Sequence, residues 1–137
     1  MPSSTASGAS PSIAVWQPPA GCTAIDFISD LHVSVDTPHT FDALSRYLRG
    51  TRADAVLMLG DIFEVWVGDD ARHEGFERSC VELFHEVSAQ RTLAFMAGNR
   101  DFLVGPAMLA DSGLQALDDP SVIACFGQRV LVSHGDA

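Results

Sequence analysis

Lysine is absent from the 137 residues, and all eight basic side chains are arginine, so that 18 Asp plus Glu leave a formal net charge of -10. A nucleic-acid backbone and an anionic lipid surface both reward clustered positive charge, so neither suits this chain as its main partner. An acidic protein that handles phosphates needs metal ions to offset the repulsion. The first basic side chain is Arg46, so the N-terminus lacks the positive region of a signal peptide and the arginines of a transit peptide. No apolar run approaches the roughly 20 residues of a membrane span. The expectation is a cytoplasmic protein without a transmembrane segment. Cysteine is scarce too: Cys22, Cys80 and Cys125 form no CxxC pair and have apolar neighbours, which reads as buried free thiols in a reducing compartment.

What is present describes a globular chain, 47% hydrophobic and 19% charged, of a length typical of one domain. Residues 1–21 are rich in Ser, Ala, Pro and Gly, and most of them are expected to form a flexible tail, since such composition buries too little to repay ordering, with docking of Trp16, Ile13 and Val15 as the alternative for that short apolar stretch. From Thr23 the character changes. The apolar run 24–29 reads as a strand, and 38–48 as a helix with Phe41, Leu44, Tyr47 and Leu48 on one face. Residues 55–59 form a continuous apolar run typical of a strand buried on both faces. A second helix follows over 76–88, a third strand over 92–97, and one or two helical turns over 106–110. Shorter strands are expected around 114–117, 122–126 and 129–133. Strand and helix in alternation give an α/β fold with a parallel sheet.

Each apolar run delivers ligating side chains at its C-terminal end: Asp30-Leu31-His32, Gly60-Asp61, Gly98-Asn99-Arg100-Asp101 and Ser133-His134-Gly135-Asp136. That edge of an open α/β sheet is where ligands bind. Taken singly, an Asp after a strand is usually a turn or a helix cap, and Gly-Asp is common. Four together point to a metal site. Carboxylate, imidazole and amide donors without thiolate suit manganese, iron or zinc. Asp30 and His32 are two apart and, in an extended chain, point to one side. Arg100 offers a planar, bidentate charge to phosphate oxygens. Cleaving a pyrophosphate expels a phosphate, already a weak base, so charge stabilisation matters more than a proton donor there. Arg100 therefore favours an anhydride over an alkyl ester.

These motifs, Asp-x-His, Gly-Asp, Gly-Asn-Arg-Asp and His-Gly-Asp, resemble those of the calcineurin-like metallophosphoesterases. The resemblance runs from about Ala24 to Ala137, although most relatives carry His where Arg100 stands. The longer matches, 27–32, 60–70 and 98–103, are similar to the branch that cleaves the pyrophosphate of UDP-2,3-diacylglucosamine, releasing UMP and lipid X in lipid A synthesis. The resemblance implies a layered αββα sandwich with two divalent metals, manganese being the expected ion, at the C-terminal ends of the strands. It implies that Asp30 and His32 bind the first metal, that Asp61 bridges, and that Asn99 and His134 bind the second. Asn99 and Arg100 would bind substrate phosphate, with no catalytic group beyond a metal-activated water. The implied partner is a lipid-linked sugar nucleotide, with peripheral contact at the cytoplasmic face of the inner membrane and no protein partner.

The family pattern closes on a Gly-His-x-His segment that these 137 residues do not contain. The expectation is therefore that 22–137 form the N-terminal portion of the phosphoesterase domain, poorly soluble and weakly metal-binding by itself. The alternative is an inactive remnant serving at most as a metal-binding or interaction module. Around the ligands, Glu64 reads as support for the metal shell, and Asp101 and Asp136 as orienting or turn residues. Phe63, Trp66 and Val67 read either as core or as a wall for acyl chains, and Asp69 and Asp70 as caps of the next helix. His39, His73 and His85 read as ordinary surface residues.

Overall fold

The computed structural model describes residues 13–134 except 67, 99 and 102. Its elements are β1 (Ala14–Trp16), β2 (Ile25–Ile28), α1 (Pro38–Gly50), β3 (Ala55–Leu59), α2 (Gly75–Ser88), β4 (Thr92–Met96), α3 (Pro106–Ser112), β5 (Leu114–Ala116), β6 (Ser121–Cys125) and β7 (Gln128–Val132), with a 3-10 turn at Asp69–His73. Four parallel strands in the order β2-β3-β4-β5 make the larger sheet. The smaller sheet has the order β1-β6-β7, with β1 parallel and β7 antiparallel to β6.

The side-chain alternation of the central strands divides the core in two. Val56 and Met58 of β3 and Leu93 and Phe95 of β4 point to one face. They meet Leu44 and Leu48 of α1, Leu83, Phe84 and Val87 of α2, and Met108 of α3. Ala55, Leu57, Ala94 and Met96 point to the other face, where Trp16, Ile123 and Val132 of the smaller sheet cover them. Strands buried on both faces need the unbroken apolar runs seen at 55–59 and 93–96. Helices, large sheet and small sheet make three of the four expected layers. Among the described residues no helix lies on the outer face of the small sheet. There Val15, Val122 and Leu131 stand in register across three strands, Val15 48% and Leu131 61% exposed.

One expectation needs correction. The stretch read as a flexible tail, 1–21, contains β1, which pairs with β6 through Ala14↔Ser121, Val15↔Val122 and Trp16↔Ile123. Trp16 is buried, and its indole N–H donates to the Gln115 side-chain Oε1 at 2.8 Å. Burying one large aromatic repays the ordering of a three-residue strand that composition alone left disordered. Residues 1–12 lie outside the described part. Among the cysteines Cys80 is buried, its thiol pushed up by burial and then by the Glu77 charge, while Cys22 and Cys125 are half-buried; all three are free.

Candidate metal centre

The loops after β2 and β3 run side by side, joined by main-chain bonds. Asp30 N donates to Gly60 O at 3.0 Å, His32 N to Asp61 O at 3.0 Å and Val33 N to Ile62 O at 2.8 Å, and Glu64 N returns to Val33 O at 2.9 Å. Keeping this register forces three non-glycine residues into the left-handed region: Asp30 at φ 57°, His32 at φ 51° and Asp61 at φ 52°. The extended geometry expected for Asp30 and His32 is therefore not what the chain adopts. Each such residue costs on the order of 1 kcal/mol or more, and strain of this kind gathers at functional sites.

Asp101 braces the loops from beneath. It is fully buried, and one carboxylate oxygen accepts Gly98 N at 2.7 Å and Asp61 N at 3.2 Å. The other accepts Ile62 N at 2.9 Å and Phe63 N at 3.2 Å. Asp101 takes both roles open to it: its side chain orients these neighbours, and its carbonyl accepts Val104 N at 3.1 Å in a turn. The β3 and β4 turns then close on each other so tightly that side chains are excluded. A Cβ on Gly98 would sit 2.6 Å from Asp61 Oδ1, and one on Gly60, at φ +95°, would sit 2.4 Å from His134 Nδ1.

Within this frame Asp30, Asp61 and His134 each present a ligating atom, all within 4.8 Å of one another. His134 Nδ1 lies 3.1 Å from the Leu59 carbonyl, which can only accept, so Nδ1 carries the hydrogen. Its Nε2 then faces Asp61 Oδ2 at 3.1 Å. A contact that close is satisfied by a proton on Nε2 or by a cation between the two atoms, and two carboxylates with one oriented imidazole have the donor set of a divalent-ion site. Asp61 Oδ1 also accepts the Arg100 backbone N–H at 2.7 Å, so the same carboxylate fixes the loop after β4.

Of the other expected site residues, His32 stands outside that trio, with its Nδ1 3.7 Å from a Glu64 oxygen. Arg100 is exposed, and its guanidinium donates to the other Glu64 oxygen at 2.5 Å. Asn99, Val67 and Asp136 lie outside the described residues. Phe63 and Trp66, each 1% exposed, pack together with ring centres 5.0 Å apart inside the helix-side core, so they form no wall for acyl chains. His39, His73 and His85 are exposed. Asp69 does not cap the helix that follows it. Its carboxylate accepts Gly105 N and Met108 N, both at 2.9 Å, and the Trp66 indole at 3.2 Å, and thereby caps α3. Burial alone would raise its pKa, but those hydrogen bonds and the Arg72 charge together hold it below the ordinary carboxylate range. Nothing in the local pattern signals that link, because the partners are far apart in sequence.

The sequence profile of the calcineurin-like phosphoesterases matches residues 23–137. The chain belongs to this family. Relatives named UDP-2,3-diacylglucosamine hydrolase share its sequence. The one from Chromobacterium violaceum is 47% identical over 118 residues, covering 83% of this chain and 48% of the relative. The one from Pseudomonas aeruginosa is 43% identical over 114 residues, covering 81% and 47%. The calcineurin-like chain thus spans about half the length of the curated relatives it matches. A solved structure of a protein of unknown function from Aquifex aeolicus superposes with a TM-score of 0.51 at 17% identity, over 80% of this chain and 59% of that one, a likeness of fold. The family resemblance drawn from the four motifs is therefore borne out.

Proposed function

We propose that this calcineurin-like chain carries metal- and phosphate-binding machinery for hydrolysing the pyrophosphate of UDP-2,3-diacylglucosamine to UMP and lipid X. The observation that carries the reading is the convergence of Asp30, Asp61 and His134 at the strand ends, with Arg100 docked on Asp61. The names of the relatives supply the substrate. Two divalent metals, manganese by preference, supply an activated water and neutralise the attacked phosphoryl group when bound.

The chain's own residues do the rest. Asp30 and His32 would hold one metal, Asn99 and His134 the other, and Asp61 would serve both. The Leu59 carbonyl keeps the Nδ1 hydrogen on His134 and so leaves Nε2 as the ligand. Asn99 and the Arg100 fork bind the diphosphate oxygens. No described helix is long and apolar enough to cross a membrane. Contact with the cytoplasmic face of the inner membrane is peripheral, and with a net charge of -10 it comes through acyl recognition or through the part of the family pattern that these 137 residues do not contain, rather than through electrostatics.

The test is release of UMP from UDP-2,3-diacylglucosamine by the purified chain with and without Mn2+, beside Asp61→Asn. Expected is Mn2+-dependent release, lost in the variant by more than the roughly 10–100-fold typical of losing an outer-shell partner. Binding of Mn2+ without turnover would make the chain a metal-binding module instead. Faster hydrolysis of simple alkyl phosphodiesters than of nucleoside diphosphate sugars would overturn the anhydride assignment.

A further inference from the structure

One carboxylate stands between the metal-facing and the phosphate-facing parts of the site. Glu64 is fixed at its backbone by the bond to Val33 O, one residue beyond His32. One of its oxygens takes the Arg100 Nη1 hydrogen at 2.5 Å, and the other lies 3.7 Å from His32 Nδ1, just beyond hydrogen-bond range. Glu64 is thus committed to Arg100 and within a small side-chain rotation of His32. The competition is physical. While Glu64 holds the guanidinium, it occupies one edge of the fork and sets a negative charge beside any incoming phosphate. A cation on His32 Nε2 would favour the imidazole with its hydrogen on Nδ1, and that N–H is the donor a carboxylate seeks.

We propose that Glu64 is a positioning residue shared by the two parts of the site. Without metal it holds Arg100. With metal on His32 it turns to the Nδ1 hydrogen and releases the guanidinium to a diphosphate. Metal loading and anion binding are thereby coupled through this chain's own side chains, and by linkage the coupling is reciprocal. The inference rests on the metal-centre reading above but is tested without turnover, so the two can fail separately.

The experiment titrates the full chain with inorganic pyrophosphate in metal-free buffer, and separately with Mn2+, comparing wild type with Glu64→Gln. Metal-free pyrophosphate is expected to bind about fivefold tighter to the variant, the factor given by removing one partly exposed like charge. In an Arg100→Ala background the same change should give no such gain. Mn2+ should bind the variant about tenfold more weakly, as loss of a histidine's outer partner does. Opposite signs in the two titrations are what a purely structural role would not produce. Unchanged or weaker pyrophosphate binding by Glu64→Gln, or unchanged Mn2+ affinity, would overturn the proposal. A measurement on the unmutated chain gives the same decision: Zn2+ should shift the Arg100 guanidinium nitrogen resonances as Glu64 leaves, and constant resonances would refute it.

Discussion

At the scale of single residues, Asp101 shows how little a conservative change can be tolerated. Each of its two oxygens accepts two backbone N–H groups. Asparagine has the same shape, but its amide nitrogen would meet two donors with two more. Asp101→Asn is therefore expected to cost roughly 3–5 kcal/mol, the range for breaking a buried, hydrogen-bonded charge. That is a large share of the roughly 5–15 kcal/mol that holds a domain folded. Urea unfolding checks it, and a loss below about 1 kcal/mol would mean that the four bonds do not hold the loops. The carboxylate's importance was only half legible in the Gly-Asn-Arg-Asp motif. A turn residue and a buried brace look alike in sequence, because they differ in which distant N–H groups come to meet them. The donors themselves were easier to find, since Asp30, Asp61 and His134 each follow an apolar run within two residues. What that spacing cannot convey is the left-handed backbone at Asp30, His32 and Asp61, which follows from the pairing of two loops far apart in the chain.

At the scale of elements, α1 is fastened to the edge strand β2 by polar contacts as well as by its apolar face. The Tyr47 hydroxyl donates to an Asp26 oxygen that also accepts the Thr51 hydroxyl at 2.8 Å. Burial, then that hydrogen bond and the Asp26 charge, push the phenol above its ordinary value. The folded chain thus holds the phenol proton more tightly than the unfolded one does. The stability this contributes is full below the free-tyrosine pKa of about 10 and is lost as pH rises toward the folded value. Tyr47 is the only tyrosine, so phenolate absorbance near 295 nm reports this contact alone. Expected is no ionisation while the chain stays folded until well above pH ~10, with an ordinary titration after unfolding in urea. An ordinary titration of the folded chain would break the link between α1 and β2. The elements themselves were largely legible: α1, β3, α2 and β4 follow from apolar spacing of period 3.6 or from continuous buried runs. β1 was not, because three residues in a Pro- and Gly-rich stretch carry no period, and its partner β6 lies at the other end of the chain.

At the scale of the whole molecule, two surfaces are in tension. A net charge of -10 favours a soluble, mutually repelling chain, while the apolar row Val15–Val122–Leu131 covers the outer face of the small sheet. The row is expected to win at high concentration and at high salt, where repulsion is screened. Sedimentation of the wild type should then show association that Leu131→Glu reduces. A wild type that stays monomeric at the highest concentrations in 1 M salt would show that the row is too small to drive contact. The pairing between the two ligand loops bears on the history of such sites as well as on their stability. Every bond in the ladder from Asp30 to Glu64 is made by main chain, so beyond the bare Gly60 and the Asp101 brace the loops' course does not depend on which ligating side chains they carry. Their geometry is inherited separately from their chemistry. A donor in either of these two loops can be exchanged without breaking a bond of the ladder.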